Sequence, residues 1–278
     1  MLSLLALSAA WAAPCANDNT ALPAGPVAVG FADGDLGVAR RLCPRTEVGI
    51  SGGGLAVVET ENFYGHIVTG GTLDGSWAAS HKTEVFASIE AFRYDSVITP
   101  ISASFMGFGH TALGATHQVW RDEKAILGVH GRLVLPTAVG LYRNAWPLAM
   151  DLGVGARWQP VRTLEVHGDI GALGSAAISA GSAGPRAGAT VTAGVAWNPV
   201  KPFALVADVD AGFGYTAALD HLAAAVALRG ALGQRVGIEL GVTLPLAGRE
   251  RALAAGELRV STRLGPLPSD APAPEPAG

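Results

Sequence analysis

Apolar and polar residues alternate along most of this chain, and the alternation recurs in segment after segment. Residues 203–214 read FALVADVDAGFG. One parity holds Phe203, Leu205, Ala207, Val209, Ala211 and Phe213, and the other holds Ala204, Val206, Asp208, Asp210, Gly212 and Gly214. Successive side chains of a β-strand point to opposite faces, so one face here is apolar and the other carries two carboxylates. In residues 235–246, Val236, Ile238, Leu240, Val242, Leu244 and Leu246 likewise share one face. A soluble β-sandwich or β-helix hides similar strands but does not need so many alternating faces. Lipid outside and a polar lumen inside account for all of them at once.

The alternation predicts twelve strands, at 46–58, 63–78, 83–94, 105–120, 124–136, 147–158, 162–174, 187–198, 202–215, 222–232, 235–246 and 252–264. Most are long enough to cross a bilayer at a tilt, which takes about 9–11 residues. Short connections at 80–83, 121–124, 159–162, 198–202 and 233–235 alternate with longer ones near 59–62, 95–104, 137–146, 175–186, 216–221 and 247–251. Outer-membrane barrels have short periplasmic turns and longer extracellular loops, and an even strand number puts both ends of the barrel in the periplasm. The expected fold is therefore all-β: a closed antiparallel up-and-down transmembrane β-barrel of about 12 strands over 46–265, in the outer membrane of a Gram-negative bacterium.

Composition agrees with this. Of 278 residues, 49% are hydrophobic and only 15% charged, with 37 Gly. The mean hydropathy is positive, yet no uncharged apolar run is long enough for a spanning helix. Residues 1–12 form a short apolar stretch ending in Ala10-Trp11-Ala12, which fits a signal peptide cleaved before Ala13. Residues 13–45 lack alternation and are expected to form a periplasmic segment or plug. The Pro/Ala-rich tail at 266–278 is expected to be disordered. Export would leave Cys15 and Cys43 in an oxidising compartment, where a disulfide between them closes an N-terminal loop.

Four tryptophans mark one edge of the sheet. Trp77, Trp120, Trp158 and Trp197 each fall just before a short turn, and RWQPV at 157–161 nearly repeats as AWNPV at 196–200. An amphipathic ring suits the membrane–water interface, so these are expected to form a periplasmic girdle. Trp158 and Trp197 have the parity of their apolar faces; that of Trp120 is not evident.

Parity also gives the lumen. Glu84, Glu90, His130, Arg132, Asp151, Arg157, Glu165, His167, Asp169, Asp208, Asp210, Arg229, Glu239, Glu257, Arg259 and Arg263 are expected to point inward. A candidate solute path consists of Arg132, Arg157, Glu165, His167, Asp169, Asp208, Asp210, Glu239 and Arg259, acting by electrostatic selection. The same residues could instead form ion pairs that fill and stiffen the interior.

No Lys/Arg cluster suggests nucleic acid. The seven His are scattered, with no His-x-His or Cys-x-x-Cys, so no metal site or cofactor is expected. The Gly-rich segment 49–55 has no Lys and no following helix, so it is not read as a phosphate loop. A His-Asp pair at 167 and 169, facing Asp208 and Asp210, resembles the arrangement of omptin proteases, which activate water for peptide hydrolysis. That reading ranks behind a channel and behind a closed-lumen structural or surface-interaction barrel, so no enzyme is expected.

The stretch VHGRLVLPTAVGLYRNAWPLAMDLGVGARWQPVRTLEVHGDIG (129–171) resembles the outer-membrane family named for the MetA pathway of phenol degradation. Leu135, Pro136 and Thr137 match that family's Leu-Pro-Thr-Gly strand end, with Ala138 in place of the Gly. GVAWNPVKPFALVADVD (194–210) follows its rhythm of strand, Pro-containing turn and strand. The resemblance implies a twelve-stranded barrel over about 46–264 that takes up small molecules, hydrophobic or aromatic ones among them. The partners expected are a lipid bilayer and a small solute.

Overall fold

A computed structural model describes residues 42–59, 64–98, 102–139, 147–177, 186–200, 203–214, 219–232, 235–248 and 252–264. The predicted signal peptide, Cys15, most of the 13–45 segment and the 266–278 tail lie outside the described residues.

The described chain is all-β. Its strands are β1 (Glu47–Glu59), β2 (Tyr64–Ala78), β3 (Thr83–Ile98), β4 (Ala103–Gly107), β5 (Thr111–Arg121), β6 (Ala125–Leu135) and β7 (Pro147–Val161). They continue with β8 (Leu164–Ala177), β9 (Arg186–Val200), β10 (Phe203–Gly214), β11 (Leu219–Leu232), β12 (Val236–Gly248) and β13 (Ala252–Arg263). The sheet closes because β1 pairs with both β2 and β13, antiparallel in each case. Closure pairs each long strand on both sides, with only the short β4 paired on one side among the described residues, and in lipid an unpaired backbone group would cost several kcal/mol.

The expected strand at 105–120 is two strands that share one place in the ring. The inner half of β3 pairs with β5, and its outer half pairs with β4. The break at 108–110 sits opposite a bulge in β3, where Glu90 pairs with Thr72 and Phe92 with Gly71, leaving Ala91 unpaired. Backbone bonds from Gly109 to the Glu90 carbonyl (2.9 Å) and from Glu90 to the His110 carbonyl (3.0 Å) hold the break in place, and Phe108 bridges Val139. Thirteen strands therefore build a twelve-stave barrel.

Burial follows parity. In β10, Ala204, Val206, Asp208 and Asp210 are buried while Phe203, Leu205 and Val209 are exposed. In β6, Ile126, His130, Arg132 and Val134 are buried while Leu127, Val129 and Leu133 are exposed. The outward face is dominated by Leu, Val, Ile, Phe and Trp, and the buried positions by charged and polar groups. This inverts a water-soluble protein. An apolar outer face of this extent is an aggregation surface in water and is well solvated by hydrocarbon.

Candidate functional site: the charged lumen

Of the nine residues expected to line the path, Arg132, Arg157, Glu165, His167, Asp208, Asp210, Glu239 and Arg259 are buried on the inner face, and Asp169 is half-buried there. They form pairs between staves. Arg157 Nη1 donates to Glu165 Oε1 at 3.1 Å, and Arg132 Nη2 lies 3.4 Å from Asp151 Oδ2. Thr192 donates its hydroxyl to Asp210 Oδ1 at 2.7 Å. Arg229 and Glu239 are directly opposite on β11 and β12 and are ion-paired.

Three further contacts pass over an intervening stave, and each time a glycine makes the room. His167 Nε2 on β8 meets Asp208 Oδ1 on β10 at 2.6 Å. Gly194 of β9 lies between them, and a methyl there would overlap Asp208 Oδ1 and stand 2.6 Å from His167 Nε2. His130 Nε2 on β6 meets Asp169 Oδ2 on β8 at 2.7 Å, and a methyl on Gly153 of β7 would fall 2.5 Å from His130 Nε2. Arg259 Nη2 on β13 reaches Asp74 Oδ2 on β2 at 2.5 Å. There a methyl on Gly49 of β1 would lie 2.7 Å from Arg259 Nη2. A carboxylate only accepts, so Nε2 carries the proton in both His–Asp pairs.

Parity missed several inward residues. Arg93 and Asp95 are buried and ion-paired at 2.8 Å. The bulge at Ala91 reverses the parity of β3 beyond Glu90, which turns them inward and leaves Phe92 and Tyr94 exposed. The Glu47 carboxylate, 1% exposed, is shared by Arg45 Nε at 2.8 Å and Arg259 Nη2 at 3.0 Å. Asp74 and Glu47 do stand at alternate positions of their strands, so a stricter parity count would have found them.

The four tryptophans are all exposed at the short-turn end, between 50% and 60%. The ambiguous parity of Trp120 also comes from a bulge: the register shifts between Gln118 and Trp120, so Val119 and Trp120 both face outward. At the same end the chain enters the lumen ahead of β1. Leu42 and Cys43, 1% and 2% exposed, cluster with Ile126. Gln118 Nε2 donates to the Leu42 carbonyl at 2.8 Å, and the Arg45 amide donates to Glu84 Oε2 at 2.8 Å. Leu42 lies against the cross-strand glycines Gly128 and Gly155, where a methyl would come 2.8 Å and 3.4 Å from its Cδ2.

The geometry re-partners the pairs considered for hydrolysis. His167 bonds Asp208 directly and Asp169 bonds His130, so the two acids and the histidine do not face each other across a gap. Among the described residues no group of three or more His, Cys, Asp or Glu is placed to hold a metal ion.

No family model and no curated protein matches the sequence. Solved structures do match in fold. An outer membrane channel from Pseudomonas putida F1 is 12% identical, with TM-score 0.64, over 83% of this chain and 100% of that one. The KdgM porin in complex with disordered oligogalacturonate is 8% identical, with TM-score 0.53, over 79% of this chain and 99% of that one. The translocator domain of autotransporter NalP from Neisseria meningitidis is 10% identical, with TM-score 0.54, over 81% and 90%. The chain thus has the fold of outer-membrane channels and translocators.

Proposed function

We propose that this protein is an outer-membrane channel for small solutes, with electrostatic selection by its lumen and no catalytic step. The observation that carries the reading is the inverted burial: charged side chains inside a closed ring whose outside is apolar. The path residues proposed are Arg132, Arg157, Glu165, His167, Asp169, Asp208, Asp210, Glu239 and Arg259. The exposed Trp77, Trp120, Trp158 and Trp197 act as the periplasmic interface girdle. The MetA-pathway resemblance adds hydrophobic or aromatic solutes to the classes to be tested.

The buried Leu42 and Cys43 support a plug role for the segment before β1, tied to Cys15 by a disulfide. A plug of this kind favours a second reading, a closed-lumen barrel that interacts through its outer loops. Planar-bilayer recording separates the two. A channel gives discrete conductance steps, and Leu42→Asp, which unseats the segment from the glycine notch, raises them. A closed barrel stays silent as wild type and as Leu42→Asp.

A further inference from the structure

Guanidinium groups cluster at one end of the lumen. At the short-turn end a cavity is lined by Arg45, Arg229, Arg235, Arg259 and Arg263, against Glu47 and Glu239. Glu47 is divided between Arg45 and Arg259, and Glu239 is taken by Arg229. Asp74 also binds Arg259, and the buried Glu257 stands two residues before Arg259 on the same strand.

Arg229 is the informative member. It is 3% exposed, and its Nε serves Glu239, but Nη1 and Nη2 have no hydrogen-bond partner among the described residues. Its neighbour on the other side, across the β10–β11 ladder, is Ala204, which offers no side-chain acceptor. A buried guanidinium edge without an acceptor is costly, and two parallel N–H groups match the two oxygens of a carboxylate or a phosphate. An unpartnered guanidinium edge in a concave, low-dielectric wall attracts anions.

The geometry points to an oxyanion-binding site at the short-turn mouth, centred on the Arg229 fork with Arg235 at its rim, that takes small carboxylates or phosphates. This deepens the channel reading by naming a solute class, and it rests on that reading for its role in passage.

The test is isothermal titration of the detergent-solubilised full chain with inorganic phosphate and with benzoate, using chloride as the control for charge alone. Planar-bilayer recording is done with the same anions. At least one of the two oxyanions is expected to bind, and chloride is not. Arg229→Lys keeps the charge but loses the fork, and is expected to weaken that binding about tenfold or more. Arg235→Gln alters an exposed turn residue and is expected to weaken binding less, with the fold intact by its β-sheet circular dichroism. Undiminished binding in both variants, or no binding by a wild-type chain that conducts, overturns the site. A barrel that binds the oxyanion but never conducts keeps the site and refutes the channel.

Discussion

Three lumen contacts depend on what the intervening staves leave out. Gly194, Gly153 and Gly49 allow His167–Asp208, His130–Asp169 and Arg259–Asp74 to span one stave each. The prediction is specific. Gly194→Ala should lower stability by about 2 kcal/mol or more, because it separates a buried charged hydrogen bond. Gly174→Ala, where a methyl meets nothing within 4 Å, should cost nothing and could add stability by restricting the unfolded chain. Urea unfolding in detergent micelles measures both, and equal effects would refute the bridging role. The inward identity of Asp208 or His167 was legible from parity. Their partnership was not, because the alternation says which face a residue takes but not which stave it meets. The expected 167–169 pair therefore proved to be halves of two different bonds.

At the scale of the strand, the alternation specified the staves, and bulges limited it. β10 alternates from Phe203 to Asp210 and β12 from Glu239 to Leu244, as the sequence pattern predicts. β3 and β5 do not, because one extra residue in each exchanges the faces beyond it, and nothing in the sequence around Ala91 or Val119 announces the insertion. Deleting Ala91 should therefore be severe: it would turn Arg93 and Asp95 toward lipid, and the protein should fail to yield the folded, heat-modifiable band on gels. Normal assembly of that deletion would show that the bulge does not set the register. Faces can be compared directly on β12. Val242→Arg places a guanidinium on the lipid side at about 2–4 kcal/mol if near the midplane, whereas Thr243→Arg, one residue on, faces the lumen. Folding yields in vesicles should fall for the first and much less for the second.

For the whole molecule, the proposed role is a conduit whose wall charge sets what passes. The ion pairs stiffen the wall, as buried pairs do at little net gain, while the proposed Arg229 site at the short-turn mouth would give the path a polarity. Closure and sidedness could be anticipated from hydropathy and turn lengths. The segment at 13–45 was open between a periplasmic stretch and a plug, and the seat of Leu42 in the lumen could not be read, because a single leucine carries no period. If Asp208 and Asp210 border the path, replacing both by Asn removes two negative charges from it, and the reversal potential under a salt gradient should shift toward anions. An unchanged potential would take them off the path. The most direct measurement is the single-channel current of the refolded wild-type barrel in a planar bilayer. The account predicts discrete ohmic steps that grow in Leu42→Asp. A barrel that inserts, shows its folded gel mobility and carries no current in either form would contradict it.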